Sequence, residues 1–132
     1  MVWDVNLGAG LVAGVAAMIP GAVIYDPHVL GKQWMKETGH KPGEGGSPAA
    51  AVAKMFVTSL INGVVAAAAV GLTDANGIGD TLAVVMLLTW FWVSASLMLV
   101  FFEGRSWKWF KISALSHILT GAVIGVVLGL ML

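Results

Sequence analysis

At 132 residues the chain has room for one domain. Apolar residues make up 58% of it and charged residues 11%, against about 25% charged in ordinary soluble domains. A soluble fold of this size buries only roughly 60–70% of its unfolded surface, so the composition excludes that class and points to lipid as the solvent. Seven basic side chains balance seven acidic ones, which argues against a nucleic-acid partner. The absence of cysteine excludes disulfide and thiolate chemistry.

Four apolar stretches are expected to cross the bilayer as helices: 5–25, 49–72, 81–102 and 112–132. Each is about 20 residues, the length that traverses a hydrocarbon core of about 30 Å. Helices satisfy their own backbone hydrogen bonds in lipid, and the stretches lack the alternation of membrane β-strands. The expected fold is therefore all-α, a polytopic four-transmembrane-helix bundle forming a single membrane domain.

The first stretch has no Lys or Arg ahead of it until position 32, so it reads as a retained span and not a signal peptide. Gly10, Gly14, Ala17 and Gly21 recur along it at the spacing of a helix-packing face. Pro20 removes a backbone donor and predicts a kink. The connection 26–48 contains an interfacial helix candidate, 29–38, where Leu30, Trp34 and Met35 mix with Lys32 and Lys36. It ends in a turn-prone string, 41–48, that reads as a flexible loop.

The second stretch carries Lys54 near its start and sets Ser59, Asn62, Gly63 and Ala66 on one face. A short link, 73–80, leads to the third stretch, which offers Thr89, Ser94 and Ser96. Trp90 and Trp92 fall near its middle, too deep for an interfacial belt, and are expected to fill space between helices. After the connection 103–111, the fourth stretch repeats Gly121, Gly125 and Gly129 every four residues, a seam that permits close backbone approach. Ser113, Ser116, His117, Thr120 and Gly121 follow at i, i+3, i+4, i+7 and i+8 and share one helix face.

All seven basic residues lie in or beside the first and third connections: Lys32, Lys36, Lys41, Lys54, Arg105, Lys108 and Lys111. Positive charge stays inside, so both connections, the loop 26–48 included, are expected in the cytoplasm and both termini outside. Trp34, Trp107 and Trp109 are expected at the cytoplasmic interface and Trp3 at the outer one.

His117 is the only ionisable side chain well inside a span, and an intramembrane ionisable group is a functional candidate by default. A proton relay needs a second titratable group, and the spans hold no Asp or Glu. An imidazole bonded to a neighbouring hydroxyl or carbonyl explains His117 equally well. Together with Asn62 and the hydroxyls of Ser113, Ser116 and Thr120, it forms the candidate intramembrane polar stripe. No phosphate-binding loop is present, since 43–47 lacks its lysine. His28, His40 and His117 read as too scattered for a metal set. No cofactor and no catalytic constellation are expected.

Two regions carry a resemblance. Pro20-Gly21-Ala22-Val23-Ile24-Tyr25-Asp26-Pro27, then Leu30-Gly31-Lys32-Gln33-Trp34-Met35 and Gly39, resemble the signature of the bacterial membrane family called domain of unknown function 1761. Its members typically read Gly-Ala-Leu-Trp-Tyr-Ser-Pro and then Phe-Gly-Lys-x-Trp-Met. Phe102-Glu103-Gly104-Arg105-Ser106-Trp107-Lys108, ahead of Ile112, Ser113 and His117, is similar to the family's Phe-Glu-Arg-Arg-Pro-x-Lys run before a helix containing Tyr-His. Ile24, Asp26, Gly104 and Ser116 depart from the pattern. The resemblance implies a four-helix integral membrane protein of bacteria and supplies no established activity.

Both signatures border the membrane on the expected cytoplasmic side. Tyr25, Asp26, Lys32, Trp34, Glu103 and Arg105 form a candidate interfacial cluster there, with Glu103 expected to pair with Arg105, Lys108 or Lys32. It is read as a clasp that fixes helix ends, or alternatively as a cytoplasmic mouth or docking surface. The leading functional expectation is a non-enzymatic accessory, scaffold or assembly subunit in the bacterial inner membrane. Its partners would be the lipid bilayer and either further copies or a larger membrane complex. The alternative is a small homo-oligomeric transporter or channel for a proton, ion or small solute, with His117, Asn62 and Thr120 along its path.

Overall fold

A computed structural model describes residues 5–41, 44 and 47–132; Trp3 and most of the glycine-rich string, Pro42, Gly43, Gly45 and Gly46, lie outside them. The described chain is helical: α1 (Leu7–Ala16), α2 (Met18–Ile24), a π-helical segment (Pro27–Gly31), α3 (Lys32–Thr38), α4 (Pro48–Gly71), α5 (Gly77–Glu103) and α6 (Trp107–Met131). Four helical stretches are long and apolar enough to cross a membrane: Leu7–Ile24, Pro48–Gly71, Gly77–Glu103 and Trp107–Met131.

The first span is broken at Ala17, between α1 and α2. Pro20 lies just beyond the break and cannot donate to the preceding turn, which is where a kink is expected. Helix α4 matches the expected stretch in length, while α5 and α6 run further than the apolar stretches suggest. Helix α5 holds 27 residues, about 40 Å at 1.5 Å per residue. Helix α6 begins five residues before the stretch expected at 112–132, because Ser106 caps it: its Oγ accepts the Trp109 N–H at 3.0 Å. Lys108 and Lys111, read as connection, are thus helical.

Two antiparallel pairs make up the body. Helices α5 and α6 pack along the glycine seam of α6. A Cβ on Gly125 would lie 2.8 Å from Leu82 Cδ1, and one on Gly129 would lie 2.6 Å from Ile78 Cα. At Gly121 it would collide with the Thr89 side chain. Helices α1 and α4 make the second pair, with Gly10 against Gly63 and Val64, and Gly14 against Ser59 and Leu60. Helix α6 joins the pairs by also packing on α1 and α2. The residues buried between them are small or branched: Ala9, Ala13, Ala17, Ala66, Ala67, Val70, Val85, Ile124 and Leu128. In lipid there is no hydrophobic drive to bring helices together, so close backbone approach and dispersion must do it.

Two expectations about packing need correcting. Gly21 is not a contact point: a Cβ there would meet only the end of Met55, at 3.9 Å. Trp90 does not fill space between helices, being 58% exposed. The buried face of α5 runs through Thr81, Val85, Thr89, Val93 and Ser96, and one residue past Thr89 the helix has turned about 100° away from the seam.

Candidate functional site

Four side chains and one glycine shape the start of the site. Asp26 is extended (φ −63°, ψ 135°), as a residue before proline prefers, and this ends the first span. Its Oδ1 accepts the His28 N–H at 2.7 Å and lies 3.0 Å from His28 Nδ1. Those hydrogen bonds, the backbone one first, hold the Asp26 carboxyl below the usual carboxylate range. The Gly31 N–H then reaches back five residues to the Asp26 carbonyl at 2.9 Å, closing the wide π turn. Gly31 has to be glycine, since a Cβ would strike the Tyr25 carbonyl and lie 2.9 Å from the Asp26 carbonyl carbon and oxygen. The turn aims α3 so that Trp34 meets Tyr25 edge-on, ring centres 5.7 Å apart.

Helix α3 then lies against the start of α6, and one short bond joins them. Ser106 Oγ, already capping α6, donates to Glu37 Oε2 at 2.6 Å. A carboxylate beside the first turn of a helix also complements its dipole. This bond links the first and third connections. Of the partners expected for Glu103 (Arg105, Lys108 or Lys32), the structure sets Arg105 beside it, the exposed Glu103 Oε2 lying 3.8 Å from Arg105 Nε, while Lys32 is exposed. The signal for Ser106 was present, as a serine ahead of a helical run is an N-cap pattern. Nothing in the sequence marked Glu37 as its partner.

Beneath that clasp lies an open cleft of about 560 Å³. Trp34, His40 and Glu44 line it from the first connection, Arg105 and Trp109 from the start of α6, and Ser113 and His117 from deeper along α6. Arg105 rests over the Trp109 ring, 5.6 Å from its centre, a cation–π arrangement. Trp34 and His40 meet in a tilted arrangement, ring centres 5.3 Å apart and planes 52° apart. Trp34 and Trp109, two of the tryptophans expected at the cytoplasmic interface, wall the cleft. Glu44 Oε2 accepts the Lys41 N–H at 3.1 Å and sits 3.9 Å from His40 Nδ1. Of the two expected clusters, Ser113 and His117 of the intramembrane stripe and Trp34 and Arg105 of the interfacial group line this one space, and His40 and His117, read as scattered, both line it.

His117 lies ten residues into α6, about 15 Å along its axis. Its ring packs on Trp92, centres 5.6 Å apart. Ser113 and Ser116 are buried on the same face and Thr120 is half-buried. Asn62 is not part of this cleft. It lines a smaller apolar cavity of about 240 Å³ between α4, α5 and α6, which Trp92 also walls. Thr120 lines neither space.

The span hydroxyls mostly serve their own helices. Thr89 Oγ1 donates to the Val85 carbonyl at 2.9 Å, Ser94 to Phe91 at 3.0 Å and Ser96 to Trp92 at 3.2 Å. Ser59 is different, donating across the α1–α4 seam to the Gly14 carbonyl at 2.6 Å. Among the described residues no group of three or more His, Asp or Glu is placed to hold a metal ion.

Comparison with known proteins gives one finding. No curated protein and no solved structure matches the chain. The family described as "Protein of unknown function (DUF1761)" matches residues 9–129, nearly the whole length and every element that builds the cleft. The chain belongs to that family.

Proposed function

We propose that the chain is a non-enzymatic accessory or assembly subunit of a membrane complex. We place it in the inner membrane of a bacterial cell, with both termini outside and the first and third connections in the cytoplasm. The orientation rests on charge. Helix α3, the residues just after it, the start of α4, the α5–α6 connection and the start of α6 carry Lys32, Lys36, Lys41, Lys54, Arg105, Lys108 and Lys111, and Ser106–Glu37 ties two of those segments together.

The observation that carries the assembly reading is the first half of α4. Every residue from 48 to 58 is exposed, although the segment is a regular helix with Ala49, Ala50, Ala51 and Ala53 along it. An open apolar groove of about 620 Å³ runs between this segment and α2, lined by Gly21, Ala22, Val52 and Met55 among others. Small residues are what membrane helices use to associate, and here Ala49, Ala50, Ala51 and Ala53 are exposed among the described residues.

Because the protein lacks cysteine, single cysteines can be placed at will. Cross-linking in native membranes from Ala50→Cys and Ala53→Cys should yield protein adducts well in excess of Leu87→Cys, which is 71% exposed on α5. Equal, background-level adducts from all three sites would overturn the reading.

A transporter or channel is the second reading, favoured by the cleft that reaches His117. It predicts pH-dependent solute flux in liposomes that His117→Ala abolishes. His117 and Asn62 line separate cavities, and Trp92 lines the Asn62 cavity while its ring packs on His117.

A further inference from the structure

The cleft beneath α3 contains a guanidinium and a carboxylate that are not paired with each other. Among the described residues the carboxylate that Arg105 approaches is Glu103, through Nε at 3.8 Å, beyond hydrogen-bond length. Glu44 is engaged by the Lys41 backbone and by His40. Both line the same open space of about 560 Å³, between the indoles of Trp34 and Trp109. At its inner end the His117 imidazole has no hydrogen-bond partner among the described residues.

We propose that this cleft is a binding site for a small zwitterion bearing a phosphate and an ammonium group, of the phosphoethanolamine type. A guanidinium offers a planar fork of donors that matches phosphate oxygens. With Nε turned toward Glu103, the terminal nitrogens of Arg105 remain for the ligand. The ammonium belongs on the Glu44 side, where a carboxylate and aromatic faces both favour a cation. Glu37 does not compete for the ammonium, because Ser106 holds it at 2.6 Å. A purely anionic ligand would face Glu44 uncompensated, and a purely cationic one would face Arg105. The site lies where the spans end, so the zwitterion is either a phospholipid headgroup entering from the bilayer or a free solute; the recognition chemistry is the same.

The test is calorimetric titration of the full chain in a mild detergent with three probes: dihexanoyl phosphatidylethanolamine, dihexanoyl phosphatidylglycerol and free phosphoethanolamine. Saturable binding of about one phosphatidylethanolamine per chain is expected, about tenfold or more tighter than phosphatidylglycerol, as one charge-assisted contact distinguishes them. Arg105→Gln should weaken both lipids about tenfold or more, and Glu44→Gln should erase the preference without weakening phosphatidylglycerol. Free phosphoethanolamine binding with the same dependence on Arg105 and Glu44 assigns a soluble ligand; binding of the acylated form alone assigns a lipid. Arg105→Lys keeps the charge and loses the fork, so it guards against a folding defect and should bind more weakly than the parent at an unchanged melting temperature. The proposal is overturned if no probe saturates, if the two lipids bind equally to the parent chain, or if Arg105→Gln and Arg105→Lys both leave affinity unchanged.

Discussion

Substituting Gly63 by Ala puts one methyl group into the tightest part of the α1–α4 seam. On an isolated helix this change is favourable by about 0.5–1 kcal/mol, because alanine loses less backbone entropy than glycine. In this seam the added carbon would lie 2.6 Å from Gly14 N and 2.9 Å from Gly14 Cα, and would collide with the Gly10 carbonyl. Those are backbone atoms on a helix, with no rotamer to yield. The helices must part by roughly 1 Å to recover ordinary van der Waals distance. That shift stretches the Ser59–Gly14 hydrogen bond from 2.6 Å to beyond bonding length and loosens the contacts at Gly10 and Gly14.

The lost bond is worth about 0.6 kcal/mol in a membrane, and overpacking costs about 1–3 kcal/mol. The net expectation for Gly63→Ala is a destabilisation of about 1–3 kcal/mol. Unfolding by a denaturing detergent in mixed micelles, followed by circular dichroism, measures it. Gly21→Ala is the control of opposite sign: only the end of Met55 is near, at 3.9 Å, so this variant should be neutral or slightly more stable. Ser59→Ala should cost less in the Gly63→Ala background than in the parent, since the bond it removes is already broken. The reasoning fails if Gly63→Ala is as stable as the parent, or if Gly21→Ala costs as much.

Ser106→Ala removes both the α6 cap and the Glu37 bond, and should cost about 1–2 kcal/mol. Glu37→Gln should cost less, and both should speed amide exchange in the first turn of α6, read by mass spectrometry. The Asp26 carboxylate is held below its usual range by the His28 amide, so its contribution is complete above the unfolded value, about 4. It fades as pH falls through the lowered folded value. Protection of the Val29 and Gly31 amides, taken relative to the intrinsic exchange rate at each pH, should therefore fall on acidification, and Asp26→Asn should flatten that dependence. Gly31→Ala forces a Cβ into the Tyr25 and Asp26 carbonyls; it should open the π turn at a cost of about 1–3 kcal/mol and redden the emission of Trp34 by freeing it from Tyr25.

The sequence and the structure divide along physical lines that particular residues make clear. Gly121, Gly125 and Gly129 were legible as a seam because a repeat every four residues is a local property of one helix, and each meets α5 closely. Gly21 shared the spacing and turned out unpartnered, because contact depends on where the neighbouring helix goes, and α4 diverges from α2 there. Ser113 and His117 were legible as polar groups on one face. Glu37, 69 positions from Ser106 along the chain, carried no local mark, since an exposed acid on a short helix looks like any other.

Composition and hydropathy determined the number of spans, because the bilayer imposes one length and one solvent on every crossing helix. The clustering of seven basic residues beside two connections defined an expected orientation in the same way, through a rule that acts on charge and not on fold. Only the tertiary structure decided that the π turn at Asp26–Gly31 swings α3 across the start of α6. That swing encloses Trp34, His40 and Glu44 with Arg105, Trp109 and His117 in one cleft. Short-range patterns specify helices and their faces, whereas a site built from both ends of the chain exists only once non-local contacts have set the angle between its walls.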